Sequence, residues 1–254
     1  MSRPAPHPSA LTPHHTPPAV EIRGLVKRYG RREVLAGVDL SVGAGEFLGL
    51  VGVNGAGKTT LIKCLLDFCD HDGGSASLFG RPVREPRARE KLAYLPERFQ
   101  PPDFLKGTEF LRIMGRLQGS QPSPGEQEEM LRRLDLEPEV LQRPVREFSK
   151  GMAQKLGLSA VLLSGKPLLL LDEPMSGLDP RGRALFKKAL LELKEAGVTL
   201  FFSTHLLADV EHLCDRMAIL HHGRVVFLGT PRACRERYGR DDLEQAFLEC
   251  VAGD

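Results

Sequence analysis

The chain has 254 residues and lacks an apolar run long enough to cross a bilayer. A spanning helix needs about 20 consecutive apolar residues. The best stretches, 47–53 and 156–165, are far shorter and are cut by Glu46 and Lys166. No secretory leader is expected either, because Arg3 is followed by prolines and polar residues instead of an apolar core. Cysteine is scarce and odd in number: Cys64, Cys69, Cys214, Cys234 and Cys250 form no CxxC pair. Reduced structural thiols are therefore expected, not metal ligands or disulfides. The chain also has no charge bias. Its 35 basic and 33 acidic side chains leave a formal +2, which argues against a nucleic-acid partner. What is present is ordinary for a chain that buries a core, 41% hydrophobic and 27% charged. A cytosolic protein is expected.

Residues 1–19 hold six prolines and three histidines (His7, His14, His15). Such a stretch forms neither ladder nor helix and reads as a disordered tail. From Val20 the pattern changes to strand-like runs, Val20–Val26, Val38–Val42 and Phe47–Val53. The third ends in glycines and opens a helix from Lys58 to about Phe68. Residues 97–165 read as an inserted helical lobe. Thr108 is placed to cap a helix carrying Phe110, Leu111, Met114 and Leu117, and further helices are expected over Glu126–Leu134 and Gly151–Ser164. Strand signals return at Leu168–Leu171, Thr199–Ser203 and Met217–Leu220, with a helix over Arg183–Glu195. Continuous apolar strands alternating with helices predict an α/β fold with a mainly parallel sheet buried on both faces. The core domain then spans 20–230, and 231–254 forms a short helical extension.

The sharpest motif is Gly52, Val53, Asn54, Gly55, Ala56, Gly57, Lys58, Thr59 and Thr60, set between a strand and a helix. This is the spacing and context of a P-loop. Its glycines let backbone N–H groups face phosphate oxygens, and the helix N-terminus adds its positive end. Lys58 is placed to reach the β- and γ-phosphates and Thr59 to bind Mg²⁺. The run Leu168–Leu171 then delivers Asp172 and Glu173 to the end of a buried strand, where ligands bind in such sheets. Asp172 suits a water-mediated hold on Mg²⁺, and Glu173 suits the base that orients the attacking water. A third element, Phe148-Ser149-Lys150-Gly151-Met152, reads by itself as a helix cap on Ser149.

In this order the set resembles the ATP-binding cassette (ABC) ATPases, over nearly the whole chain after residue 20. The resemblance implies a P-loop NTPase core with a small antiparallel β subdomain and a helical lobe. It implies that Tyr29 stacks on adenine, that Glu97 occupies the place of a glutamine sensing Mg²⁺ and the membrane partner, and that Ser176–Asp179 is the loop crossing a dimer interface. His205 matches the switch histidine that contacts the γ-phosphate. Two departures stand out. The usual LSGGQ signature appears as residues 148–152, keeping Ser149 and Gly151, and Glu97 adds a negative charge. Both variants look like those of stand-alone cassettes that drive ABC-2-type exporters.

The resemblance further implies that ATP is held with Mg²⁺ between two chains, with Lys58, Thr59, Asp172, Glu173 and His205 from one and Ser149 and Gly151 from the other. A homodimer is expected, serving a separately encoded membrane permease at the cytoplasmic face of the cell membrane. The permease is expected to dock near Phe99, Phe104, Leu105 and Phe110. A soluble non-transport ABC ATPase, such as a scaffold ATPase of iron–sulfur cluster assembly, is the alternative. DNA-repair and ribosome-acting relatives are disfavoured, since no second cassette, long coiled coil or basic appendage is seen. The substrate is not written in this chain.

Overall fold

A computed structural model describes residues 17–253. Two sheets carry the fold. Four strands, β1 (Val20–Tyr29), β2 (Arg32–Val42), β4 (Gly73–Leu78) and β5 (Arg81–Pro82), form an antiparallel sheet in the order β2-β1-β4-β5. Six strands form the second sheet: β3 (Phe47–Val51), β6 (Leu92–Leu95), β7 (Leu168–Asp172), β8 (Thr199–Thr204), β9 (Arg216–His221) and β10 (Arg224–Gly229). Their order is β10-β9-β3-β8-β7-β6, parallel throughout except for the β9–β10 hairpin.

The continuous apolar strands have the physical cause expected of a sheet covered on both faces. Successive side chains alternate sides, so one strand feeds two cores. Phe47, Leu169, Leu171, Leu200 and Phe202 face one cluster, shared with α4 (Lys150–Leu162), α5 (Pro180–Glu195) and α6 (Leu207–Leu213). Leu48, Leu50, Leu168, Leu170 and Phe201 face the other, shared with α1 (Lys58–Leu65) and the antiparallel sheet. A third cluster around Phe110, Leu131, Leu141 and Leu156 belongs to the helical lobe, built from α2 (Gly107–Gln118), α3 (Pro124–Arg133) and α4. Phe99 packs against both the main core and this third cluster, and its ring meets Phe110 edge-on at 5.7 Å.

Several boundaries differ from the sequence reading. Helix α2 starts at Gly107 with Lys106 as its cap residue, and the Lys106 N–H donates to Glu109 Oε2 at 2.9 Å. Thr108 therefore lies inside the first turn and is not the cap. Helix α1 ends at Leu65, three residues short of Phe68. The Pro/His-rich tail lies largely outside the described residues, but Ala19 is fully buried and its carbonyl accepts from Phe79 N–H at 3.1 Å. At the other end, α7 (Pro231–Tyr238) and α8 (Leu243–Ala252) pack together, and Leu243, Ala246 and Cys250 join the main core. Among the described residues no helix is long and apolar enough to cross a membrane.

Candidate nucleotide site

Strand β3 ends at Val51, and the chain makes the glycine-rich loop before α1 begins at Lys58. Gly52 is required by close approach: a Cβ there would lie 2.5 Å from the Leu220 carbonyl oxygen. Gly57 adopts φ +111°, a backbone conformation that side chains resist, and it sets the entry into α1. The first turn of α1 has no acidic side chain, so its unpaired N–H groups and positive end are left for an anion. Lys58 is 7% exposed; its Nζ donates to the Gly52 carbonyl at 2.6 Å and lies 3.7 Å from Glu173 Oε1.

The neighbouring strands bring the acids to the same end of the sheet. Asp172, the last residue of β7, is paired in register with Ser203 of β8. It is 1% exposed, and its Oδ1 accepts from the Ser203 hydroxyl at 2.5 Å. Its Oδ2 is buried without any partner. An orphaned carboxylate oxygen costs free energy when buried, and with the Thr59 hydroxyl on the adjacent cavity wall the hard oxygen donors fit a divalent cation such as Mg²⁺. Glu173 leaves the strand at φ +48°, its N–H held by the Ser203 carbonyl at 3.2 Å and hydroxyl at 3.0 Å. That turn sends its carboxylate away from Asp172 and between Lys58 and His205, whose Nδ1 is 2.9 Å from Glu173 Oε2.

A cavity of about 560 Å³ opens over these groups. Tyr29, Val53, Asn54, Gly55, Gly57, Lys58, Thr59, Thr60, Glu97, Glu173 and His205 all line it. Gly52, Ala56 and Asp172 are not on its wall and support it from buried positions. Arg32, Val34 and Ser176 line it too. Arg32 could have been found from the β1–β2 hairpin, whose register sets it directly opposite Tyr29. Ser203, which anchors both acids, was visible only as one polar residue ending an apolar strand.

Ser149 and Gly151 lie elsewhere. Ser149 caps α4, its hydroxyl accepting from Met152 N–H at 3.2 Å, and with Lys150 it lines a separate cavity of about 940 Å³. Gly151 sits close to the Gly177 carbonyl; a Cβ on it would be 3.3 Å away. Glu97 and Ser176 border both cavities. Asp179 caps α5 by accepting from Gly182 N–H at 2.8 Å and touches neither cavity.

The sequence family described as ABC transporter matches residues 35–176. An uncharacterized ABC transporter ATP-binding protein of Synechocystis is 41% identical over 223 residues, 85% of this chain and 61% of that protein. The chain thus spans less than two thirds of that relative's length. The Nod factor export ATP-binding protein I of Burkholderia lata is 37% identical over 231 residues, 89% of this chain and 75% of that one. A solved structure of the ATP-binding subunit of an ABC transporter superposes with a TM-score of 0.83 at 33% identity, covering 91% of this chain and 99% of that one. With the P-loop, the acidic strand end and the signature segment in family order on this fold, the chain belongs to the ABC transporter ATP-binding proteins.

Proposed function

We propose that this chain binds ATP and Mg²⁺ in the 560 Å³ cavity, closes on a second copy of itself, and hydrolyses ATP to drive a separately encoded membrane permease, in the direction of export. One observation carries the reading most of the way: Lys58, Glu173 and His205 converge at the mouth of the P-loop while Ser149 opens onto a different wall. A cassette that needs Ser149 and Gly151 at its phosphates has to take them from another chain. The export direction rests on the signature variant and on the name of the Burkholderia relative.

In this reading Lys58 exchanges its bond to the Gly52 carbonyl for a phosphate oxygen, and the N–H groups at the start of α1 hold the rest of the phosphate chain. Mg²⁺ would be held by the Thr59 hydroxyl and, through water, by Asp172, and when bound would neutralise charge on the phosphates. Glu173 accepts the proton of the attacking water as its oxygen bonds to the γ-phosphorus and the bond to the β-phosphate oxygen breaks. His205 holds the Glu173 carboxylate on one side and the γ-phosphate on the other. Tyr29, half exposed at the rim, stacks on adenine. Glu97, on the border of both cavities, links the nucleotide to the permease-facing groove.

Affinity purification from gently solubilised membranes of the native host tests the reading. A multi-span permease in near-equal amount is the expected result. A chain found only with soluble partners overturns the transport assignment and favours a non-transport ATPase.

A further inference from the structure

Behind the adenine-side wall lies a thiol pair that no part of the ATPase chemistry uses. Helix α1 ends in a Schellman turn: Asp67 takes φ +58°, Phe68 N–H reaches the Lys63 carbonyl at 2.9 Å, and Asp67 N–H reaches that of Cys64 at 3.2 Å. The turn folds the chain back over the helix end, so that Cys69 Sγ lies 3.6 Å from Cys64 Sγ. The returning segment is pinned to the end of β1, where Asp72 N–H donates to the Val26 carbonyl at 2.8 Å and Asp72 Oδ2 accepts from Arg28 N–H at 2.5 Å. Tyr29 stands against this pair. Its hydroxyl is pushed up first by burial and then by the neighbouring Cys69, its ring lines the nucleotide cavity together with Thr60 of the P-loop, and Lys27 Nζ sits 5.1 Å from its ring centre.

We propose that Cys64 and Cys69 form a reversible disulfide, a modification site that reports to the nucleotide cavity through Tyr29. Closing the bond needs the sulfurs to move about 1.5 Å nearer, since an S–S bond is about 2.05 Å long. Cys69, half-buried, is the sulfur an oxidant reaches first, while Cys64 is almost fully enclosed. With hydrogen peroxide as oxidant, the Cys69 thiol becomes a sulfenic acid and one water leaves. The Cys64 thiol then displaces hydroxide from that sulfur, forming the S–S bond, and its proton leaves with the hydroxide as a second water. Each sulfur gives up one electron, and peroxide takes both. Burial pushes the Cys64 thiol up to about 12, with its bond to Cys69 adding to the effect. Cys64 is therefore a neutral thiol at rest, the slower, resolving sulfur of the pair. Drawing Cys69 onto Cys64 pulls on the segment that Asp72 pins to Arg28, the residue before Tyr29, and the ring shifts beside the P-loop. The part of the inference that concerns nucleotide affinity rests on the adenine role proposed above for Tyr29.

Both cysteines fall in one tryptic peptide, from Cys64 to Arg84, since the Arg81–Pro82 bond resists trypsin. The full chain is treated with hydrogen peroxide, alkylated without reductant, digested and weighed. The expected product is that peptide, two hydrogens lighter and unalkylated, restored by dithiothreitol and absent from Cys69→Ser and Cys64→Ser. Cys69→Ser changes a half-buried position and keeps the test open if Cys64→Ser folds poorly. In parallel, affinity for a fluorescent ATP analogue is expected to weaken about fivefold on peroxide treatment, the size of one modest contact, and peroxide is expected to leave the affinity of Cys69→Ser unchanged. Recovery of Cys64 and Cys69 as separately alkylated thiols, or as sulfinic acids, overturns the disulfide site. A disulfide that leaves affinity unchanged overturns the link through Tyr29. Failure of the untreated chain to bind the analogue counts against the nucleotide reading instead, while the peptide mass still decides the disulfide.

Discussion

The two halves of the proposed ATPase machinery are built differently on the same chain. The phosphate-binding half is finished inside one molecule. Lys58 is buried, Glu173 is 13% exposed in its side chain, and the P-loop is sealed against β9 at Gly52. The signature half is an exposed helix start, with Ser149 satisfying its own helix and Lys150 beside it in solvent. The difference teaches where rigidity is supplied. In the proposed reading, the side that holds charge in a low-dielectric setting is preorganised by a parallel sheet, whereas the side that docks and leaves is an open cap whose hydroxyl accepts from its own helix and keeps its O–H to donate to a phosphate oxygen.

The largest expected effect breaks chemistry on the finished half alone. Glu173→Gln should lower turnover about 10²- to 10⁴-fold, the usual worth of a positioned base. It should leave ATP binding intact and trap an ATP-dependent dimer in size-exclusion chromatography. Retained turnover would remove Glu173 as the base. Lys58→Ala should weaken ATP binding about a hundredfold by calorimetry, because charged hydrogen bonds to phosphate are lost. On the open half, Ser149→Ala should leave ATP binding by the single chain unchanged while turnover at dimer-forming concentrations falls about tenfold, the loss of one hydrogen bond to a charged group. Its thermal unfolding should also report the lost helix cap, about 1 kcal/mol. Gly52→Ala sharpens the contrast through stability instead, because its Cβ meets backbone and not a movable side chain. A cost of about 2 kcal/mol is expected from overpacking, read as a melting point lower by roughly 4–8 °C. The smallest effect is Phe104→Ser. This side chain is 73% exposed, so stability and ATP binding should not move, and a loss of permease co-purification would mark it as a docking residue.

Much of the finished half was legible because its causes are local in sequence. Phe47–Val51 and Leu168–Leu171 are apolar throughout since both sheet faces are covered, and each run stops where the chain must turn polar to meet a ligand. The separate placement of Asp172 and Glu173 follows from the strand ending between them, where Glu173 turns away at φ +48°. What stayed hidden depends on partners distant in sequence. Ser203 matters only because β8 sets it against Asp172, and Arg32 and Val34 reach the cavity only because the hairpin folds over the P-loop. The α2 cap was missed because Thr108 is a better cap residue by type than Lys106, yet the Glu109 carboxylate reaching back to the Lys106 N–H decided the start. Strand β10, mixed in exposure and short, has no strong periodicity to announce it.

The seating of Gly52 against Leu220 also sets a schedule for synthesis. Strand β3 lies between β8 and β9, both made late, so the phosphate loop leaves the ribosome long before the strands that flank it. At about 5–20 residues per second, the wait between Gly52 and Leu220 lasts on the order of ten to thirty seconds. Until β8 is made, through most of that interval, Phe47, Leu48 and Leu50 have no β-sheet neighbours. A nascent chain of this kind can hold nucleotide only near the end of its translation, and a pause or truncation before β9 yields a P-loop sequence without a P-loop.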